Sequence, residues 1–368
     1  MNVPKLRFKE FSDDWIEEKI NELVELNPKN PNLPENFIYI DLESVSNGIL
    51  LQEKILTKDD APSRAQRQVK VNDILYQTVR PYQKNNLFID KLSHLPYIAS
   101  TGYAILREKN IYQKFLFNKL HTDSFVNEVL DNCTGTSYPA INSNDLGNIK
   151  IFCPNNFKEQ KRIGDFLSLI DKKIELQTKK IEDLKLFKKG LSNNIFNNLK
   201  DFEEYKLGNL CNITTGKLDA NAMVENGKYR FYTCAKEYSF IDEYSFDTEA
   251  LLISGNGAYV GYIHYYNGKF NAYQRTYVLD QFSQNIKFIK CYLDENLSRR
   301  IKSEKKVGNT PYIVLSTLSD MIIKVPSKEN QKNISNIINY HQRKILLEEN
   351  KLQKLQELKK GLMQNMFV

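Results

Sequence analysis

Basic, amide and aromatic side chains are interleaved in several short, turn-rich segments of this sequence. Arginine, lysine, glutamine and asparagine are the side chains that bind phosphates and base edges. The first half of the chain supplies Arg64, Arg67, Lys70, Arg80, Tyr82, Gln83, Lys84, Thr136, Ser137 and Tyr138. The second half supplies Asn256, Tyr259, Gln274, Arg275, Tyr277, Asn309 and Thr310. Each segment alone is typical of a solvated turn, so the hypothesis of a DNA contact depends on both halves carrying such loops in corresponding places.

Motifs for catalysis are absent from the sequence. There is no Gly-x-Ser-x-Gly, no Walker loop, no His-Glu-x-x-His, no Asn-Pro-Pro-Tyr-type pocket and no glycine-rich S-adenosylmethionine fingerprint. The five cysteines are scattered and the four histidines form no ligand pair, which predicts buried thiols and no metal site. We therefore expect a chain without catalytic activity of its own.

Length and composition predict a folded protein of about two domains. The chain has 368 residues, of which 41% are hydrophobic and 26% charged. Its net charge of +7 is compatible with a polyanionic partner but too small to establish one. The N-terminal segment has no apolar signal core, and no apolar run approaches a membrane span, so we expect a cytoplasmic protein.

The chain contains an internal repeat. Residues 159–196 align without a gap to residues 330–367, and 14 of the 38 positions are identical. A shorter entry motif also recurs, with Trp15, Lys19 and Leu23 matching Phe202, Lys206 and Leu210. Between these shared parts, residues 27–138 and 211–310 show almost no identity. The sequence therefore indicates a tandem duplication in which a common frame holds two different domains.

Each repeated segment predicts a long amphipathic helix. Apolar residues recur in steps of three and four, a heptad pattern interrupted at Gln177 and Glu348. About 38 residues at ~1.5 Å each would make a rod of roughly 57 Å. A single core helix is one interpretation; we prefer a coiled coil between the two copies, because their seams are of equal length.

The segments between the repeats predict two α/β domains. In the first, residues 37–42, 73–78 and 102–106 are typical of strands and residues 111–130 of a helix. In the second, we predict strands at 229–233, 250–254, 259–266 and 270–279 and a helix at 286–301. The segment 254–257, Ser-Gly-Asn-Gly, predicts a hairpin turn.

The two copies match well at the ends of their helices. A shared Lys-Lys-Gly-Leu could be ordinary charge placement at a helix C-terminus. Retention of the same four residues in both copies instead favours one kind of protein partner that binds twice. The candidate partner-binding residues are Lys188, Lys189, Leu191, Lys359, Lys360 and Leu362.

This arrangement resembles the specificity (S) subunits of type I restriction–modification systems. The resemblance is carried by the opening motif Pro4-x-Leu6-Arg7-Phe8 with Phe11, Trp15, Lys19, Ile20 and Leu23, and by the junctions at Pro154, Glu159, Gln160 and Ile163 and at Pro326, Gln331 and Ile334. Asn330 replaces the glutamate of the second junction. Each motif is weak alone, and the duplicated set is strong.

The resemblance implies an α+β, tandem-duplicated fold in which two α/β target-recognition domains are joined by two long helices that form an antiparallel coiled coil. It implies that each domain binds one half of a bipartite site in double-stranded DNA and that the helices set the spacer between the half-sites. Two modification (methyltransferase) subunits would dock on the helices and restriction (translocase and nuclease) subunits would join them. S-adenosylmethionine, ATP and Mg²⁺ would be bound by those partners, with no cofactor in this chain.

The corresponding domain boundaries are 1–150 for the first recognition domain, 151–199 for the first long helix, 200–322 for the second recognition domain and 323–368 for the second long helix. Two alternatives remain open at this point. One is a coiled-coil scaffold with two domains that do not bind DNA, and the other is an enzyme with an unrecognised site.

Overall fold

The chain forms two compact units in the computed structural model, which describes residues 3–29, 32–46, 48–135, 137–304 and 312–368. Unit 1 comprises Met1–Thr178 and Lys351–Val368, and unit 2 comprises Lys179–Asn350. The divisions therefore fall inside the two long helices, whereas the sequence suggested boundaries at residues 150, 199 and 322.

Unit 1 begins with a strand of the frame and continues through the first variable domain. Its elements are β1 (Trp15–Lys19), α1 (Ile20–Leu23), β2 (Val24–Leu26), β3 (Asn36–Ile40), β4 (Val45–Ser46), β5 (Ile49–Leu50), β6 (Lys54–Thr57), β7 (Ala65–Gln68), β8 (Ile74–Gln77), β9 (Leu87–Phe88), β10 (Tyr97–Ser100), β11 (Tyr103–Glu108), α2 (Gln113–Lys119), α3 (Asp123–Asp131), α4 (Ser143–Asn148), β12 (Lys150–Pro154) and the first part of α5 (Phe157–Asn197).

Unit 2 repeats this plan with different strands. After the second part of α5 come β13 (Phe202–Lys206), β14 (Asn212–Thr215), β15 (Tyr229–Tyr232), β16 (Ser239–Ile241), β17 (Phe246–Ser254), β18 (Ile263–Ala272), β19 (Thr276–Asp280), α6 (Ile286–Glu304), α7 (Leu315–Ser319), β20 (Ile322–Pro326) and the first part of α8 (Lys328–Met366). The last part of α8 belongs to unit 1.

The frame of each unit is a two-stranded antiparallel ribbon that leads into a long helix. In unit 1, β1 pairs with β12 and Trp15 lies opposite Pro154. In unit 2, β13 pairs with β20 in the same register, and Phe202 lies opposite Pro326. The entry motif and the segment before each helix are therefore paired strands of one ribbon, which explains why both recur in the sequence.

A buried glutamine fastens the ribbon of unit 1 to its helix and to its domain. The Gln160 side chain donates to the Pro154 carbonyl, at 2.8 Å, at the end of β12. Its carbonyl oxygen accepts a hydrogen bond from the backbone N–H of Tyr112, at 2.8 Å, immediately before α2. Gln160 is 4% exposed, so both bonds are shielded from water. One side chain thus joins a strand, a long helix and the variable domain.

The repeat places Gln331 in the same position in unit 2, and it makes the same bonds. It donates to the Pro326 carbonyl at 2.9 Å and accepts from the backbone N–H of Asn285, which precedes α6, at 3.0 Å. Gln331 is also buried. The two units therefore share an equivalent polar clamp although the domains that they hold differ in sequence.

The residue before this glutamine differs between the copies for a structural reason. In unit 1, the buried Glu159 accepts two hydrogen bonds from the Arg7 guanidinium, at 2.7 and 2.8 Å, and one from the Trp15 indole, at 3.3 Å. This pairing raises the pKa of Arg7. In unit 2 the equivalents of Glu159 and Trp15 are Asn330 and Phe202, and a phenyl ring offers no N–H to a carboxylate.

The two variable domains share part of their sheet topology. Unit 1 has sheets in the order β6-β3-β10-β7 and β2-β11-β8-β9, and unit 2 has one six-stranded sheet in the order β14-β19-β17-β18-β15-β16. The strands β2-β11-β8-β9 correspond to β14-β19-β17-β18, all paired antiparallel. The parallel pair β3–β10 likewise corresponds to β15–β18. The mixed, duplicated fold predicted from the sequence is confirmed.

Three of the predicted elements are wrong in detail. The helix predicted at residues 111–130 is interrupted, because the Thr122 hydroxyl accepts a hydrogen bond from the Phe125 N–H and starts α3 as a separate helix. The strands predicted at residues 259–266 and 270–279 are instead β18 and β19. Strand β18 continues past residue 266 because it pairs first with β17 and then with β15.

Within unit 2, the two long helices pack antiparallel, as their cross-helix pairs show. The Lys180 ammonium lies 3.0 Å from a Glu348 carboxylate oxygen, and the Lys188 ammonium donates to the Gln342 side chain at 2.8 Å. Glu348 interrupts the apolar seam yet is only 6% exposed, so its carboxylate requires this cationic partner. A charged pair within an apolar seam is a recognised device for fixing the register of two helices.

The end of α8 completes the core of unit 1. Met366 and Phe367 are buried in the same cluster as Trp15, and the Phe367 and Trp15 rings lie edge to face at 6.5 Å. The backbone N–H of Leu6 donates to the Asn365 carbonyl at 2.8 Å. In unit 2 the end of α5 has the same role, because Phe196 packs on the ring of Tyr292 of α6.

Replacement of either clamp glutamine is expected to destabilise the fold. Gln160→Ala and Gln331→Ala each leave a buried N–H and a buried carbonyl without a partner, and one such group costs about 1–3 kcal/mol. Gln353→Ala is the matched control, because this glutamine bonds Glu357 on the exposed surface of α8. Urea unfolding measures the differences; a loss no larger than that of the control would contradict the clamp.

Candidate nucleic-acid interface

The loop after β8 is held in a fixed conformation that presents Arg80. The Arg80 N–H donates to the Pro139 carbonyl at 2.7 Å, and Arg80 adopts a left-handed conformation with φ 53°. Its guanidinium carbon lies 4.4 Å from the centroid of the Tyr138 ring, which is 64% exposed. The structure thus brings together two predicted DNA-binding residues that are 58 positions apart, and it stacks the cation on the aromatic ring.

Buried amide side chains support this loop from beneath. The Gln77 side chain donates to the Val79 carbonyl at 2.7 Å and to the Gln83 side chain at 2.9 Å. The Asn86 side chain accepts the Gln77 N–H at 2.8 Å. Both Gln77 and Asn86 are 2% exposed, so the loop conformation is fixed before any ligand binds. Gln83, predicted to contact DNA, is therefore partly engaged in the loop itself.

A neutral histidine connects the loop to the helices of the domain. The Phe117 carbonyl, 2.6 Å from Nδ1 of His121, can only accept, so Nδ1 donates and Nε2 accepts from the Asn86 amide at 3.4 Å. Burial lowers the pKa of His121 to about 4, although the bond to Phe117 acts in the opposite direction. Lys84 donates to the His121 carbonyl at 3.0 Å and pairs with Asp123 at 2.7 Å. Its ammonium group is thus engaged within the domain, although the sequence predicts a DNA contact.

The other predicted residues of the first domain lie on its surface to different extents. Arg64, Lys70, Tyr82 and Ser137 are exposed, and Thr136 lies outside the described residues. Arg67, on β7, is half-buried, and its Nε has no hydrogen-bond partner within the described structure. Burial lowers the pKa of Arg67, and because Nε itself is buried, the structure does not present this atom to a ligand at the surface.

In the second domain, the hairpin turn predicted at 254–257 is wrong. Strand β17 ends at Ser254 and β18 begins at Ile263, so an eight-residue connection joins them. The backbone is crowded here: a Cβ on Gly255 would lie 2.4 Å from the Arg275 carbonyl oxygen, with which the Gly255 N–H bonds at 2.9 Å. That contact between two chain segments, rather than a tight turn, explains the glycine.

The remaining predicted residues of the second domain divide into exposed and structural groups. Tyr259, Gln274 and Arg275 are exposed, and Asn256 forms an isolated bridge with Tyr312. The Tyr277 hydroxyl instead donates to the Ile313 carbonyl at 3.0 Å, so it holds the segment before α7. Asn309 and Thr310 lie outside the described residues. The sequence analysis interpreted the segment of Arg230 only as a strand; in the structure, this arginine of β15 lies against the Tyr238 and Tyr266 rings.

The predicted partner-binding lysines take part in contacts between the helices. The Lys359 ammonium lies 2.5 Å from an Asp171 carboxylate oxygen in unit 1, and Lys188 donates to Gln342 in unit 2. These pairs occupy equivalent positions in the repeat. Leu191 and Leu362 are half-buried, whereas Lys189 and Lys360 are exposed. Contacts within the chain therefore account for part of the match that suggested an external partner.

A second apolar set on the helices is exposed, and it too is duplicated. Leu169 and Tyr340 are equivalent by the repeat and are 66% and 63% exposed. The equivalents Leu176 and Leu347 are 55% and 61% exposed, and Phe187 and Leu358 are 56% and 53% exposed. We call these six residues the outer apolar positions. Because the same positions are exposed in both copies, they are a candidate surface for a protein partner.

The fold and these sites define a class of protein: a duplicated, two-domain chain whose helices expose equivalent apolar positions and whose first variable domain presents an arginine stacked on a tyrosine. The family described as "Type I restriction modification DNA specificity domain" matches residues 12–186 and 199–357, one match in each half. The chain belongs to this family.

The chain is similar to specificity subunits of other organisms. The chain is 39% identical over 135 residues to the type I restriction enzyme EcoDI specificity subunit of Escherichia coli and 28% identical over 177 residues to the HindI specificity subunit of Haemophilus influenzae. These matches cover 37% and 46% of this chain, and 30% and 37% of the relatives. The crystal structure of a type I restriction–modification S subunit from M. genitalium has the same fold, with a TM-score of 0.69 at 19% identity over 100% of this chain and 99% of that one.

The neutral histidine predicts a loss of stability in mild acid. Between about pH 4 and pH 6.5, His121 is neutral when folded and protonated when unfolded, so the unfolded state binds more protons and the free energy of unfolding falls as the pH falls. Each unit of pKa depression corresponds to about 1.4 kcal/mol. In the His121→Gln variant, the free energy of unfolding measured in urea should fall less between pH 7 and pH 5 than in the wild type. Some dependence of this free energy on pH should remain, because burial also lowers the pKa of His264. An unchanged decrease would contradict the assignment.

Proposed function

We propose that this chain is the DNA-specificity subunit of a type I restriction–modification complex and that each variable domain binds one half of a bipartite site. The observation that carries the proposal is the duplicated family match, one copy in each half of the chain. Two similar frames that hold two dissimilar domains suit a protein that recognises two different short sequences.

The cation presented by the first domain supports contact with DNA. Arg80 stacks on the exposed ring of Tyr138, and no carboxylate pairs with it within the described residues. Arginine offers a planar fork of donors that matches a phosphate or the O6 and N7 atoms of guanine. The buried Gln77 and Asn86 amides fix the loop in advance, which reduces the conformational entropy lost on binding.

We propose that the long helices set the number of base pairs between the half-sites. Helix α5 has 41 residues and α8 has 39, so each is about 60 Å long at ~1.5 Å per residue. DNA-binding proteins with two recognition elements place them about one helical turn of DNA, ~34 Å, or a small multiple apart. Helices of this length have the required scale.

We also propose that methylation and cleavage belong to partner subunits. The modification subunits would carry S-adenosylmethionine, the restriction subunits would use ATP and Mg²⁺, and this chain would supply specificity alone. The outer apolar positions are our candidate for the docking surface. Their duplication supports one modification subunit bound at each copy, and their exposure leaves them available for contact.

Exchange of one domain tests the division of specificity. Replacement of residues 27–138 by the matching segment of another family member should change one half-site and leave the other intact. The half-sites are measured by mapping the DNA sequences that the chimera and the parent each bind in the complex with modification subunits. Urea unfolding of the chimera is the control for packing, because Ile74 and Phe115 of the exchanged segment contact the frame. A change in both half-sites of the chimera would contradict the proposal that the two domains recognise DNA independently. If the parent protein showed no salt-dependent DNA binding, the alternative of a scaffold that does not bind DNA would be favoured.

Substitution of the outer apolar positions tests the docking surface. Leu176→Lys and Leu347→Lys should each weaken binding of one modification subunit, because burial of a leucine contributes about 1.5–3 kcal/mol, or roughly a 10- to 100-fold change in affinity. Lys173→Glu and Lys344→Glu are matched controls at exposed, equivalent positions of the same helices. Mass measurement of the assembled complex gives the stoichiometry, and full assembly of the double leucine variant would exclude this surface.

A further inference from the structure

Arg230 on β15 of unit 2 is enclosed by tyrosines. Its guanidinium carbon lies 4.3 Å from the centroid of the Tyr238 ring and 4.5 Å from that of Tyr266. One guanidinium nitrogen also donates to the Tyr232 hydroxyl, at 3.4 Å. The cation is therefore in contact with two aromatic rings and is held by a third tyrosine, which restricts its orientation.

The tyrosine enclosure is supported by the core of the domain. Tyr232 is 2% exposed, and its ring contacts those of Phe270 and His264. The Tyr266 ring packs edge to face on Phe270, whereas Tyr238 is 37% exposed. Arg230 is thus positioned by the buried Tyr232 and the partly buried Tyr266 on one side and lies beside an exposed ring on the other.

The surroundings of Arg230 differ from those of the arginines that stabilise the fold. Arg7 is paired at 2.7 Å with Glu159, and Arg107 at 2.8 Å with Asp73; each of these carboxylates is 1% exposed. Within the described residues, no carboxylate lies within ion-pair distance of Arg230. Its charge is uncompensated, as is that of Arg80 against Tyr138 in the first domain. Among the described residues, Arg80 in the first domain and Arg230 in the second thus both contact tyrosine rings without a carboxylate partner.

We propose that Arg230 contacts DNA and that the edge of its guanidinium group binds the second half-site. This proposal depends on the proposed function of the chain. Because tyrosine rings contact the guanidinium, the in-plane N–H donors are the groups left to a ligand. Such donors match either the O6 and N7 atoms of a guanine or two oxygens of a backbone phosphate. Arg230 then takes in unit 2 the role proposed for Arg80 in unit 1.

A purely structural role for Arg230 predicts a different outcome from the same variants. If the arginine only links the tyrosine rings, its removal lowers stability and affects DNA only through unfolding. Arg230→Lys separates the two roles, because lysine keeps the charge and the cation–π contacts but lacks the bidentate fork. Arg299→Ala is the control, since Arg299 is an exposed arginine of unit 2 with a carboxylate neighbour, Glu295, at 4.0 Å.

The test measures affinity, salt dependence and sequence preference of the chain in its complex with modification subunits, together with the unfolding midpoint of each variant. We expect Arg230→Ala to weaken binding by about 10- to 100-fold and to leave the first half-site unchanged. A guanine contact predicts that Arg230→Lys relaxes one base pair of the second half-site. A phosphate contact predicts that Arg230→Ala lowers the salt slope by about one and that Arg230→Lys retains most of the affinity.

Wild-type affinity, salt slope and preference in both Arg230 variants would overturn the proposal. So would an unfolded Arg230→Ala together with a folded Arg230→Gln whose affinity, salt slope and preference are those of the wild type. Glutamine keeps neither the charge nor the fork of donors, so the arginine would then be structural. Failure of the proposed function is a separate result: the wild-type complex itself would show no salt-dependent, sequence-specific binding.

Discussion

One buried glutamine at the start of each long helix is the contact on which the architecture depends. It ties the last carbonyl of a strand to the first turn of the helix and to the backbone that enters a helix of the variable domain. The NH₂ group and the oxygen of the side-chain amide both form hydrogen bonds away from water. A side chain without this donor and acceptor would leave buried backbone groups without partners. A frame fixed in this way can hold domains of different sequence, provided that each presents a backbone N–H at the same place.

The divergence of the two domains is consistent with this constraint. The frame ribbons keep an identical register, whereas one domain has two four-stranded sheets and the other a single six-stranded sheet. Differences within the frame occur in matched sets: Glu159 accompanies Trp15 and Arg7, and Asn330 accompanies Phe202. A change in one member of such a set removes a partner from the others, which accounts for the joint differences between the two copies.

Periodicity and repetition in the sequence predicted the long helices and the duplication. The strands that were predicted wrongly depend on contacts between residues far apart in the chain. The heptad spacing predicted the long helices because each turn is a local property, and the repeat predicted the duplication. The broken helix at Thr122 and the shifted strands β18 and β19 depend on a cap and on pairing partners that local patterns do not reveal. Similarly, Arg80 was predicted from its loop, but the ion pair of Lys84 with Asp123 and the contact of Arg230 with Tyr266 involve residues tens of positions away.

The contribution of α8 to unit 1 has a consequence for biosynthesis. Unit 2 is one continuous stretch, Lys179–Asn350, whereas unit 1 needs the last 18 residues, in which Met366 and Phe367 fill its core. A ribosome makes the chain from its N-terminus, so every part of unit 2 emerges while the first domain still lacks its final apolar contacts. The half that is encoded first is therefore the half that is completed last, and until then it exposes the surface that those residues will cover.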